Sequence, residues 1–111
     1  MIHEVEDEAG VEDALAAPRA VIYKHSPRCG VCVASDQEIR HFDEGPCDVP
    51  IFWIDVVGHQ HLSQLVAERV GVQHESPQVI LLERGRALWS ASHWEVRATD
   101  LEDQVTRLST R

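Results

Sequence analysis

No apolar run in this sequence approaches the roughly 20 residues needed to cross a bilayer. Basic residues are scarce as well. Ten Lys and Arg stand against 19 Asp and Glu, for a net charge of −9 at pH 7. Such an acidic balance argues against nucleic acid or an anionic membrane as partner, because both reward a basic face. Cysteines are few and odd in number: Cys29, Cys32 and Cys47. That is not the framework of a secreted disulfide scaffold, and 43% hydrophobic content can build a core without disulfides or a structural metal. The N-terminal stretch Met1-Ile2-His3-Glu4-Val5-Glu6-Asp7-Glu8 has no apolar h-region and does not read as a signal peptide. Repeats, low-complexity segments and linkers are missing too. The expectation is one compact domain over residues 1–111, soluble, cytoplasmic and monomeric, with its thiols kept reduced.

Hydropathy patterning then orders the chain. Val11 to Ala17 is alanine-rich and stopped by Pro18, which predicts a short helix. Ala20-Val21-Ile22-Tyr23 is too short for a helix and reads as a buried strand. From Cys29 to Phe42 the spacing predicts a helix with Cys32, Ser35, Ile39 and Phe42 on one stripe, and Asp36, Gln37 and Arg40 facing outward. Pro50 to Asp55 is apolar on both faces and predicts a central strand. Leu62, Leu65, Val66 and Val70 repeat at helical spacing, with Gly71 placed to cap the C-terminus. Val79–Leu82 and Ala87–Ser90 flank Arg84-Gly85-Arg86, the pattern of an antiparallel hairpin. Thr99-Asp100-Leu101-Glu102 reads as a capping box opening a last helix that buries Leu101, Val105 and Leu108. A strand–helix–strand crossover gives parallel strands and the hairpin an antiparallel edge. The fold class is therefore α/β: a four-stranded mixed sheet with helices on both faces.

Chemistry concentrates at Cys29-Gly30-Val31-Cys32, where a strand gives way to a helix. A cysteine at a helix N-terminus has its thiolate stabilised by unpaired backbone N–H groups and the helix dipole. Arg28 and His25 would add positive potential. Only the thiolate attacks a disulfide, and a free thiol near pKa ~8.5 is mostly protonated at neutral pH. Cys32, roughly one turn on, is placed to attack the mixed disulfide that Cys29 forms. Half of a zinc site and two incidentally buried cysteines are the competing readings. Zinc takes about four ligands, however, and there is neither a second Cys-x-x-Cys nor a histidine pair at ligand spacing. The strand-to-helix placement favours a redox pair over both. Cys47, beside Gly45-Pro46, reads as an ordinary loop cysteine rather than a third redox partner. Pro77 stands just before an apolar strand, where a residue without an N–H marks the strand's start.

The succession of Cys29-Gly30-Val31-Cys32 after a strand, Ile54-Asp55, Val70-Gly71-Val72, Pro77 and Arg84-Gly85 resembles thioredoxin over about Ala20 to Arg111. The resemblance implies a thioredoxin-like fold. It also implies a cis peptide bond before Pro77, close to the cysteine pair, with Ser76 offering backbone hydrogen bonds to a bound thiol or peptide. Lys24-His25-Ser26, His74-Glu75-Ser76-Pro77-Gln78-Val79 and Ser92-His93-Trp94 are more closely similar to the YtxJ-type, or monothiol, bacilliredoxins. Members of that family are implied to remove bacillithiol, a low-molecular-weight thiol, from mixed disulfides on proteins. Three departures are visible. Cys32 stands where the YtxJ type usually carries serine, and Tyr23 stands where thioredoxin has a buried acid. With no carboxylate at position 23, proton exchange at Cys32 must use another group. Arg28 also replaces the thioredoxin tryptophan. These changes point away from general protein disulfide reduction and toward a low-molecular-weight thiol partner.

Such a thiol carries carboxylates. If the fold is as implied, the N-terminus of the last helix at Thr99-Asp100 and the loop Ser92-His93-Trp94 should face the cysteines. Arg28, His25, His93 and Arg97 would then supply charge or hydrogen bonds, and Trp94 an apolar wall. The plainer readings are a loop aromatic covering the sheet end and a satisfied strand-end histidine. The function expected is a thiol–disulfide oxidoreductase acting in cell redox homeostasis, with Cys29 as nucleophile and Cys32 as resolving thiol. Its substrates are proteins carrying mixed disulfides, and a low-molecular-weight thiol such as bacillithiol serves as co-substrate. Sulfur performs the chemistry, so no metal or bound organic cofactor is expected. General reduction of protein disulfides, and a non-catalytic redox-sensing or binding module, are the alternatives.

Overall fold

The computed structural model describes residues 1–27 and 30–109. Its elements run β1 (Ile2–Glu4), α1 (Glu8–Ala16), β2 (Arg19–His25), α2 (Gly30–Glu44), β3 (Ile51–Asp55), α3 (Gln60–Val70), β4 (Gln78–Glu83), β5 (Arg86–Ser92), a 3-10 turn (His93–Glu95) and α4 (Ala98–Ser109). The strands lie in the order β1-β3-β2-β4-β5. β1, β3 and β2 pair in parallel, and β4 and β5 are antiparallel to the strands beside them.

The sheet has five strands, not four. β1 was not foreseen because three residues show no alternation that could be told from an acidic tail. What makes it a strand is tertiary: Ile2, His3 and Glu4 pair with Ile51, Phe52 and Trp53, and the Val5 N–H bonds the Trp53 carbonyl at 2.9 Å. This pairing leaves β3 hydrogen-bonded on both edges.

Alternation along the three inner strands divides the core between two faces. Val21 and Tyr23 of β2, Ile51 and Trp53 of β3, and Val79 and Leu81 of β4 point toward α2 and α4. The residues between them, Ile22, Phe52, Ile54, Ile80 and Leu82, point toward α1 and α3. Successive strand residues face opposite ways, so a strand covered on both sides must be apolar throughout. α2 buries Cys32, Ser35, Ile39 and Phe42, the stripe its spacing predicts. α4 buries Leu101, Val105 and Leu108 against the same face. Cys32 is therefore part of a helix–sheet interface rather than of the surface.

Local chemistry explains most element ends. The Asp7 carboxylate accepts the Gly10 N–H at 3.0 Å and caps α1. Gly71, at φ +72°, closes α3, with its N–H bonded to the Ala67 carbonyl. The start of α4 differs from the capping box read in the sequence. Thr99 lies inside the helix, and the Ala98 N–H is instead taken by Glu38 Oε1 of α2 at 2.7 Å. A cap supplied by another helix leaves no local signature.

Arg84 and Gly85 form a two-residue hairpin loop with positive φ at both positions, as a type I′ turn requires. A Cβ at Gly85 would stand 3.0 Å from the Leu15 carbonyl oxygen, whereas one at Gly71 would meet open space. Gly71→Ala should therefore cost only the left-handed backbone, about 1–2 kcal/mol. Gly85→Ala should cost more, because the α1 backbone blocks its side chain. Urea denaturation of the two variants checks the ranking.

Candidate functional site

The C-terminal end of β2 presents three consecutive polar-tipped side chains, Tyr23, Lys24 and His25. α2 then begins at Gly30, the residue after Cys29. Arg28 and Cys29 themselves lie outside the described residues. Cys32, in the first turn of α2, is buried with 1% of its surface exposed.

Tyr23 points to the α2 face and is fully buried, edge-on to Trp53 at 4.7 Å between ring centroids. Its hydroxyl donates to Asp36 Oδ1 at 2.6 Å. The same oxygen lies 2.8 Å from His25 Nδ1. With the carboxylate ionised, Nδ1 must carry the hydrogen in that pair. Asp36 therefore does not simply look outward, as its place opposite the apolar stripe suggested. It is half-buried and turned toward β2. Burial first, then the Asp36 carboxylate, pushes the Tyr23 pKa far above its usual value, so the phenol keeps its proton.

Lys24 points to the opposite face and is also fully buried, between Ile54 of β3 and Gln78 of β4 in the sheet. Its ammonium reaches His74 Nδ1 at 3.1 Å, so that His74 accepts and keeps its own proton on Nε2. Desolvation lowers the Lys24 pKa to about 8. Burial and the neighbouring Lys24 charge lower that of His74.

The loop after His74 carries a cis peptide bond between Ser76 and Pro77. Backbone contacts tie this loop to α2. The His93 N–H bonds the Pro77 carbonyl at 2.9 Å, and the Ser35 hydroxyl, 3.2 Å from the Val31 carbonyl of its own helix, also lies 3.4 Å from the His93 carbonyl. Ser35 follows Cys32 by one helical turn. Among the residues singled out in the sequence, the structure thus brings Cys32, Pro77 and His93 to one end of the sheet. The His93 side chain is half-exposed, 3.7 Å from Glu75, and Trp94 is 64% exposed. His25 is engaged with Asp36 instead.

The N-terminus of α4 is already answered by the chain's own carboxylate, Glu38, at the Ala98 amide. Arg97 lies apart, in a groove with Asp100, Asp103 and Arg107 between β5 and α4. Cys47 packs partly into the core, and burial followed by Glu102 raises its thiol pKa, the opposite of what a nucleophile needs. Among the described residues no three His, Cys, Asp or Glu side chains converge as a metal site would require. Asp36, Lys24 and His74 carry the polar chemistry that sequence reasoning did not assign. A signal for Asp36 existed, since a single tyrosine in a buried strand needs a partner for its hydroxyl.

The buried lysine makes a prediction about stability. The folded protein holds the Lys24 proton more weakly than the unfolded chain. Between about pH 8 and 10.5 the unfolded state therefore binds more protons, and stability rises with pH. Lys24→Met should be more stable than the parent near pH 7, with the advantage shrinking as pH climbs through that interval. Paired urea midpoints at successive pH values read the difference, which cancels the titration of other groups.

Comparison with solved structures places this architecture among thioredoxin folds. A thioredoxin-fold protein provisionally assigned as an oxidoreductase superposes with a TM-score of 0.83 at 20% identity, covering 95% of this chain and 93% of that one. A mutant thioredoxin from Halobacterium salinarum gives 0.78 at 16% identity, with 96% and 88% covered. Mitochondrial thioredoxin 3 from Saccharomyces cerevisiae gives 0.75 at 15% identity, with 96% and 94% covered. At these identities the likeness establishes the fold. The family model of the monothiol bacilliredoxin BrxC matches residues 2–101, and the chain belongs to that family of thiol–disulfide oxidoreductases.

Proposed function

We propose that this oxidoreductase removes a low-molecular-weight thiol, bacillithiol or a close relative, from mixed disulfides on proteins. The observation that carries the assignment of roles is the burial of Cys32. A sulfur inside a helix–sheet interface cannot meet a protein-sized disulfide first. It can react only with what its neighbour brings to it. Cys29, immediately before the first residue of α2, is followed by the unpaired amides and positive end of that helix, which favour a thiolate.

The Cys29 thiolate attacks the sulfur of the small thiol, forming an enzyme–thiol mixed disulfide and releasing the protein as thiolate, which takes a proton from water. Cys32, once deprotonated, attacks Cys29 and expels the small thiolate, leaving a Cys29–Cys32 disulfide. Two electrons from reduced low-molecular-weight thiols restore the dithiol and yield the oxidised small-molecule disulfide. On this reading Ser76, Pro77, His93, Arg28, Trp94 and His25 are the residues that bind the small thiol. The same reading has the protein working in the cytoplasm, as a monomer, on other proteins and the reduced thiol pool.

Cys29→Ser should abolish release of the small thiol from a modified protein. Cys32→Ser should accumulate the intermediate, and intact-mass spectrometry should show one small thiol added to the chain at Cys29. Recovery of whole-protein adducts on Cys29 instead would assign general disulfide reduction, and no adduct of either kind would assign a non-catalytic role.

A further inference from the structure

Cys32 must lose a proton before it can attack, and a buried thiol is poorly placed to lose one to water. Position 23, on the side of the sheet that α2 covers, holds no carboxylate. One is nevertheless present, supplied by a different element. Asp36 follows Cys32 by four residues on α2, so the two share a helix face one turn apart. Tyr23 lies across from both. Its hydroxyl bonds Asp36 at 2.6 Å, and it is buried on the sheet face that α2 covers with Cys32.

We propose that Asp36, reached through the Tyr23 hydroxyl, is the group that exchanges a proton with Cys32 during resolution. This rests on the reading of Cys32 as the resolving thiol. As the thiol ionises, its proton passes to Tyr23 Oη while the phenolic proton passes to the Asp36 carboxylate. Tyr23 stays neutral throughout. Cys32 then forms its bond to Cys29, the Cys29–small-thiol bond breaks, and the departing thiolate is neutralised by the proton released from Asp36. When the Cys29–Cys32 disulfide is reduced, the same path runs backward. The path has an outlet. Asp36 borders a cleft of about 340 Å³, where the titratable groups facing it are Glu4, Glu6, His25, Arg40, Asp55 and His59, from β1 and the residue region after it, β2, α2, β3 and the start of α3. Arg40 is fixed there by stacking over Trp53, 4.9 Å from the ring centroid. Tyr23 and Asp36 are thus positioning residues for the second cysteine, joining a buried sulfur to solvent.

The test separates the two half-reactions. Enzyme is loaded at Cys29 with bacillithiol or glutathione, and release of the small thiol is followed in single turnovers from roughly pH 6 to 9. Tyr23→Phe and Asp36→Asn should slow release by about 100-fold near neutrality and displace its pH profile toward that of an unassisted thiol, while Asp36→Glu restores most of the rate. Loading of Cys29 should change little, and urea midpoints show whether each variant folds. Thiolate absorbance of Cys32 in a Cys29→Ser background reads its titration without substrate, and Tyr23→Phe should move it. An unaltered profile in both variants would overturn the relay. So would release from Cys32→Ser as fast as from the parent, although Cys29 would still load and the dethiolation reading would stand. Failure of Cys29 to load overturns that reading instead, and an unmoved Cys32 titration would then remove the relay as well.

Discussion

Tyr23 occupies the middle of the sheet with no exposed surface, yet it carries a hydroxyl that cannot be left unpaired there. An unsatisfied buried polar group costs roughly 1–3 kcal/mol, a large part of the margin by which a small domain is folded. Asp36 meets that demand. To do so it must sit on α2 at the level of Tyr23, and α2 must lie on the sheet with Cys32, Ser35, Ile39 and Phe42 inward. The rotation of the helix about its axis is thereby constrained by a polar contact as well as by apolar packing. That rotation decides that Cys32 is buried and that Ser35 reaches the His93 carbonyl beside Pro77.

Period-two and period-3.6 patterns carried most of the architecture, because they report burial directly. The apolar runs at 20–23, 51–54 and 79–82 became the three inner strands, and the α2 and α4 stripes matched residue for residue. What the patterns missed was decided by contacts distant in sequence. Ile2–Glu4 is a strand only because β3 offers it an edge. The apparent box at Thr99 lost to Glu38, which reaches Ala98 from 60 residues away in the chain. Asp36 had the position of a solvent-facing residue on the helix wheel, but a half-buried flank and a tyrosine partner outweigh the wheel.

The site was legible in kind and incomplete in wiring. Cysteine spacing and the strand-to-helix junction point to the cysteine pair as the place for sulfur chemistry without any coordinates. Lys24, by contrast, looks like an ordinary strand-end cation, since a sequence gives no sign that both sheet neighbours and His74 will enclose it. An ammonium buried against an imidazole is destabilising near neutral pH, so the end of β2 is held in place by other parts of the fold. Two neighbouring strand residues therefore face opposite sides with opposite electrostatic demands, Tyr23 donating to an acid and Lys24 to a base.

That division gives the two sides of the sheet different parts in the chemistry. The α2 side contains the buried sulfur, a neutral phenol and a carboxylate with access to a solvent cleft, all that is needed to move one proton. The opposite side contributes Lys24 and His74, and their contact braces the loop that carries the cis Ser76–Pro77 bond. A monothiol reaction needs only the loop and one sulfur, because the resolving thiol comes from solution already able to ionise. A dithiol reaction also needs a way to deprotonate a sulfur shielded from water. Serine at position 32 would make the Tyr23–Asp36 contact structural alone. With cysteine there, the relay proposed above would use the same contact as a route for the proton that resolution requires, with no residue added to the fold.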